Sequence, residues 1–269
     1  MMVLLFLLLS PGQFLFQSAC ASEESGGTTI FFCSSESSVN NFKSLKMELD
    51  QYLSEFGHYQ FQPFRDRAVF EQYVREKRRG FLLLSAWHYS LIHEDYALKA
   101  LLVGARGGKK YQKMVLTAKT ELSAPLLQKI DPLASACSTQ YTRSVLLEML
   151  QQKEMAESLT ILSVPKDIDA LVSVGFGMSK SALTTESTLD QLKTINPVLY
   201  NQIKVVAQGK ESLSMVLAFP KNFEPISLEL LNIVKEMPLS PKGKKIMEMI
   251  GLDGWRELDA SDIQKLESK

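Results

Sequence analysis

Apolar positions along most of the chain switch between strand-like and helix-like spacing, and the switching predicts a repeated strand, loop, helix order. Residues 29–33, TIFFC, read as a strand buried on both faces, and residues 34–38 as a hydroxyl-rich turn. Phe42, Leu45, Leu49, Tyr52, Leu53 and Phe56 then form one helical stripe that ends at Gly57. A second strand over 59–63, a helix over 67–78 with Phe70, Tyr73 and Val74 inward, and a third strand over 81–84 follow. This alternation predicts a parallel sheet with helices on both faces. Residues 97–103 and 111–116 read as strands joined by a glycine-rich turn, 104–108, into a hairpin, because a phosphate loop needs a helix after its glycines. A short helix is expected over 122–128 and a strand over 130–136. The alternation then restarts with a strand at 159–164, a helix at 167–176, a strand at 181–184 and a helix from Thr188, where Thr188 and Gln191 have capping-box spacing. Two more strands, 204–207 and 213–219, lead into helices at 226–237, after Ser240-Pro241 as N-cap and N1, and from Ala260.

Within this order the stretch 134–150, ASACSTQYTRSVLLEML, is where chemistry is most expected. Val145, Leu146, Met149 and Leu150 fall on one face of a helix that begins near Thr139 or Gln140. Ser138 and Thr139 occupy N-cap positions, and the first N–H groups of a helix are unpaired and carry the positive end of its dipole. Such a place binds carboxylate, phosphate or phosphonate without Lys or Arg, although a plain capped helix start has the same local sequence.

Composition narrows the classes. With 45% hydrophobic and 22% charged residues the chain is globular, and 30 basic against 30 acidic residues give no surface for nucleic acid. Residues 1–21 are a different material: an apolar run over 3–9, a Pro11-Gly12 break, and Ala19-Cys20-Ala21 before the expected cleavage point. They read as a secretory signal peptide, so the mature protein is expected in the periplasm. A lipid anchor on Cys20 is the rival, and Gln17 fits a lipobox badly. The mature chain keeps Cys33 and Cys137, too few for a disulfide-built scaffold. No nucleophile elbow, HExxH, paired CxxC, dinucleotide fingerprint or P-loop occurs, so nothing argues for an enzyme or a cofactor. A thiolate at Cys137, beside a helix start, is the one seed of an enzymatic reading. His88 and His93 with Glu94 and Asp95 have no helical metal-ligand spacing, and no metal is expected. Trp87, His88 and Tyr89 follow the third strand at its C-terminal end, where open α/β sheets place ligands, or else pack beneath a helix.

Four stretches together resemble one family, the phosphate and phosphonate ABC transporter substrate-binding proteins among the type II periplasmic binding proteins. They are 81–118, 134–150, 169–197 with Asp169-Ala170-Leu171, Gly177 and Asn196-Pro197, and 240–255 with Ser240-Pro241-Lys242-Gly243-Lys244 and Gly254-Trp255. The resemblance implies an α/β, two-lobed type II periplasmic-binding-protein fold with two crossover hinge strands. Lobe 1 would take residues 22–117 and 206–269, and lobe 2 residues 118–205. It implies a monomer that captures a small anionic ligand in the interlobe cleft and hands it to an ABC transporter permease. The same fold also serves as a sensor that signals to a membrane kinase or cyclase. Carried over by position, the family's serine and threonine loop falls on Ser138, Thr139, Gln140 and Tyr141, and its cleft-facing aromatic on His88 or Tyr89. Trp87, Ser34 and Ser35 complete the expected ligand set. Gln140 and Tyr141 replace small residues of the family's usual Ser-Thr-Ser-Gly run. The family's lobe-2 acid falls near Lys180 or Ser181, so a plain oxyanion fits better than an aminoalkylphosphonate. Cys33 and Cys137 would face the cleft from opposite sides, where a bridge would lock it shut.

Overall fold

The computed structural model describes residues 28–34, 41–77, 79–119, 130–223 and 228–268. The expected signal peptide, Ser35 and the expected helix at 122–128 lie outside them. The strands are β1 (Thr29–Cys33), β2 (Gln60–Phe64), β3 (Phe81–Ser85), β4 (Leu98–Ala105), β5 (Tyr111–Lys119), β6 (Leu133–Ser135), β7 (Ile161–Ser163), β8 (Ser181–Thr185), β9 (Ile203–Leu213), β10 (Met215–Pro220) and β11 (Gly254–Glu257). The helices are α1 (Phe42–Leu53), α2 (Arg67–Lys77), α3 (Ala86–Ile92), α4 (Thr139–Leu150), α5 (Lys153–Ser158), α6 (Asp167–Gly175), α7 (Glu186–Ile195), α8 (Pro197–Gln202), α9 (Leu228–Glu236), α10 (Pro241–Met249) and α11 (Ala260–Glu267).

Two sheets result, one in the order β11-β4-β10-β3-β1-β2 and one in the order β7-β6-β8-β5-β9. Each is parallel only over three strands, β2-β1-β3 and β7-β6-β8, and antiparallel beyond them, so the expected parallel sheet is in fact two mixed ones. Alternate side chains of each strand enter cores on opposite faces, as pleating requires. In the first sheet Ile30, Phe32 and Leu83 pack with α1, α9 and α10, while Phe31, Cys33 and Leu84 pack with α2, α3 and α11. In the second, Leu116 and Leu183 pack with α4 and α5, and Val115 and Ala182 with α6, α7 and α8.

The expected hairpin at 97–116 is corrected. Gly107 and Gly108 do turn the chain, at φ 58° and 73°, and Arg106 bridges Lys109, but β4 pairs with β10 and β11 whereas β5 pairs with β8 and β9. Apolar periodicity identifies a strand without naming its partner. The chain therefore crosses between sheets at 106–110 and returns at Ser214. The expected lobe limits at 117 and 206 fall inside β5 and β9, which are the long pair of crossover strands. At the crossing, the buried Asp262 of α11 accepts from Lys110 Nζ at 2.7 Å and from the Tyr111 hydroxyl at 2.5 Å, tying the C-terminal helix to the root of β5.

Candidate functional site

In both sheets the parallel strands end in loops that start helices, and these ends meet between the sheets. From the first sheet come Ser34 after β1, the start of α2 after β2, and Ser85, the last residue of β3, whose side chain caps α3 by accepting the His88 N–H at 3.2 Å. From the second come Ser138, Lys166 and Thr185, the N-cap positions of α4, α6 and α7. Thr185, not Thr188, caps α7, accepting the Thr188 N–H.

Ser138 caps α4 by accepting the Tyr141 N–H at 3.3 Å, and Ser138, Thr139 and Gln140 are exposed. Beneath them Ser135 Oγ accepts the Cys137 N–H at 3.2 Å and pairs with Thr142 Oγ1 at 2.9 Å, which fixes the loop before the helix. The three helix starts differ in charge. The first turn of α6 contains Asp167 and Asp169, and that of α7 contains Glu186, whereas that of α4 contains no acid. The dipole's positive end is thus already offset at α6 and α7 and stands uncompensated by its own turn at α4.

Facing α4 is Arg67, the first residue of α2. Its Nη1 donates to Gln140 Oε1 at 3.1 Å, its guanidinium lies 5.3 Å from the Trp87 ring, and its Nε donates to Glu71 Oε1 at 2.5 Å. Trp87 also crosses to α4, donating from Nε1 to Ser144 Oγ at 3.2 Å and meeting Tyr141 edge-on at 5.3 Å. On the opposite flank a cavity of about 970 Å³ lies between the β4–β5 turn, the end of α10 and the starts of α6 and α7. There Arg106 Nη1 stands 3.9 Å from Asp167 Oδ2, and burial raises the Asp167 pKa.

The aromatic triplet divides. Trp87 reaches the second sheet, but His88 and Tyr89 point into the interior of the first and are wholly buried, so the structure takes both off the cleft wall. The Tyr89 hydroxyl shares its one proton between the Leu98 carbonyl and Glu267 Oε1, at 3.4 and 3.3 Å. His88 Nε2 is 2.9 Å from Glu71 Oε1. Hydrogen bonds from His88 and Arg67 lower the Glu71 pKa to about 2, so the ionised carboxylate accepts and Nε2 carries the proton. Burial pushes the His88 pKa down against that bond, and its bare Nδ1 is buried without a partner among the described residues. Tyr141 is likewise buried, packed in the core under α4 with Trp87 edge-on to its ring, and Ser34 is half-buried just after β1. Cys33 and Cys137 are both buried and are not bridged to each other, and burial raises the Cys33 thiol to about 12.

Arg67 and Glu71 escaped the sequence reading. A signal was present, because a cation in the first turn of a helix opposes the dipole and needs another reason to be there. The pair sets a pH expectation. The Glu71 pKa is lowered, from 4.5 to about 2, so its stabilisation is full above the unfolded value and is lost as pH falls through about 2. His88 acts in the same direction, since its lowered pKa makes acid favour the unfolded chain. Glu71 is 20% exposed, which screens the pairing, and Glu71→Ala should cost about 2 kcal/mol at neutral pH, including the stranded His88 donor. Urea unfolding should show that difference holding from about pH 7 to about pH 5 and shrinking from there toward about pH 2; a difference independent of pH would contradict the pairing.

A family model described as "ABC transporter, phosphonate, periplasmic substrate-binding protein" matches residues 32–263. No curated protein matches the chain in sequence. Among solved structures, XAC2383 from Xanthomonas citri bound to chloride is similar at a TM-score of 0.64 and 16% identity, over 89% of this chain and 94% of that one. The same protein bound to ATP gives 0.62 and 14%, over 90% and 95%. PhnD1 from Prochlorococcus marinus in complex with methylphosphonate gives 0.61 and 11%, over 89% and 95%. At these identities the likeness is one of fold, the two-lobed type II periplasmic-binding-protein fold.

Proposed function

The chain belongs to the family of periplasmic substrate-binding proteins of phosphonate ABC transporters, and from that premise we propose that it captures a small oxyanion, of the phosphate or phosphonate kind, in the cleft between its two lobes. It works outside the cytoplasmic membrane as a monomer and delivers the ligand to the permease of an ABC importer, doing no chemistry on it. The first sheet and its helices make lobe 1, the second sheet and its helices lobe 2, and the crossings at 106–110 and 213–215 are where the lobes hinge.

The observation that carries the ligand class is the start of α4, with its exposed Ser138 and Thr139, no acid in its first turn, and a guanidinium across the cleft. Helix N–H groups, the dipole and a facing cation all favour an anion at the same point. The anions named for the neighbours, methylphosphonate with PhnD1 and chloride or ATP with XAC2383, agree with this class. The test is a thermal-shift series with phosphate, phosphite, methylphosphonate, sulfate and acetate. A ligand present at about 100 times its Kd adds about 2.7 kcal/mol, which for a protein of this size raises the midpoint by roughly 5–10 °C. At least one phosphorus oxyanion should do so; no shift with any of the five would overturn the reading.

A further inference from the structure

We propose that Arg67 is the lobe-1 residue that reads the charge of the anion seated at the start of α4, and that Glu71 and His88 are the pair that positions it. The inference rests on the anion reading above and goes beyond it by assigning charge selectivity to one side chain and its support.

The geometry has three parts. First, Arg67 stands in reach of the site: Nη1 is 3.1 Å from Oε1 of Gln140, itself the second residue of α4, so the guanidinium lies within one side-chain length of the helix's opening N–H groups. Second, the guanidinium is held on more than one side. Nε is bonded to Glu71 Oε1 at 2.5 Å, and the ring of Trp87, which itself spans to Ser144 and Tyr141, lies 5.3 Å away. A guanidinium carries five N–H donors in a rigid fork, and the bonds named here use two, so the fork keeps donors to offer an oxyanion in fixed directions. Third, the support is itself anchored. The Glu71 oxygen that receives Arg67 also receives His88 Nε2 at 2.9 Å, and His88 is fully buried against Phe70 with ring centroids 5.4 Å apart. The immobile imidazole fixes the carboxylate, and the carboxylate fixes the guanidinium.

Glu71 also offsets part of the Arg67 charge, so the fork acts on the anion mainly through short, directed, charge-assisted hydrogen bonds rather than long-range attraction. Such bonds strengthen with the charge carried by the acceptor oxygens. The site should therefore separate a dianion from a monoanion of the same shape, and Arg67 should be the reason. The alternative is that Arg67 only latches the lobes through Gln140, in which case its loss weakens every ligand alike.

The experiment titrates the full chain calorimetrically with methylphosphonate and with methanesulfonate, in a buffer alkaline enough that methylphosphonate is the dianion, so that two ligands of like shape differ in charge. The wild type should prefer methylphosphonate. Arg67→Gln should weaken methylphosphonate by about 10- to 100-fold while affecting methanesulfonate much less, and Arg67→Lys should recover part of the loss. His88→Phe, which keeps an aromatic ring at this position and removes its donor, should weaken methylphosphonate several-fold without touching the cleft. Equal loss of both ligands, or no loss, in Arg67→Gln and Arg67→Lys would overturn the charge-reading role. Unchanged affinity in His88→Phe would overturn the positioning pair. If the wild type binds neither of these ligands nor any anion of the thermal-shift series, the anion reading fails and this inference with it; if it binds an anion of that series but neither of these two, or binds them and the Arg67 variants do not differ from it, this inference fails alone.

Discussion

Gly243→Ala is expected to lower the thermal unfolding midpoint by about 10 °C. Gly243 is the third residue of α10, where its N–H is accepted by Ser240 Oγ at 3.0 Å as the chain leaves the turn at Met237–Leu239. A Cβ built there would lie 1.9 Å from the Met237 carbonyl oxygen and 2.6 Å from its carbonyl carbon. These are backbone atoms of a turn closed by its own hydrogen bonds, so neither side can yield without moving α10. That helix carries Ile246 and Met247 into the core shared with α1, and Lys245 pairs with Glu48 at 2.6 Å. Forced overpacking of this kind costs about 3 kcal/mol, and each kcal/mol is worth roughly 2–4 °C in a protein of this size. Gly107→Ala is the control: it has positive φ but no atom within 4 Å of the added Cβ, so it bears only the backbone strain, on the order of 1 kcal/mol. Equal, small shifts for the two variants would show that the turn and helix part more easily than the close approach implies.

Local signals in the sequence located the elements that local physics determines. The apolar runs at β1 and β3, the helix start at Thr139, Ser240-Pro241 before α10 and Ala260 after the Asp259 cap all stand where the spacing places them. What escaped depends on partners far along the chain. The glycine turn at 107–108 looked like a hairpin because nothing in 111–116 reveals that these residues pair with 181–185 and 203–213. β11 is a four-residue edge strand that pairs, among the described residues, with β4 alone, and α5 and α8 are six-residue helices too short to show a stripe.

At the cleft the misses are matters of helical phase. The triplet Trp87, His88, Tyr89 stands at the right end of the right strand, but Ser85 starts a helix there, and each step along it turns the side chain by about 100°. One of the three therefore crosses to the second lobe and the other two turn into the first. Arg67 was read only as the beginning of a helix; its place facing α4 is set by a contact 73 positions away in sequence, the 3.1 Å hydrogen bond from its side chain to that of Gln140.

The start of α4 is thus where legible sequence and unforeseen geometry meet, and one substitution tests it most directly. Thr139→Glu puts a carboxylate into the first turn of α4, giving it the charge that α6 and α7 already have in theirs. Thr139 is exposed, and an acid in a helix's first turn adds about 0.3–1 kcal/mol, so the unfolding midpoint should hold or rise. An oxyanion seated there would meet a like charge at about 4 Å, a repulsion of up to about 4 kcal/mol at the effective dielectric of a protein surface. Titration with methylphosphonate should show affinity reduced by at least about 100-fold in a variant as stable as the wild type; wild-type affinity in Thr139→Glu would contradict the placement of the anion at this helix.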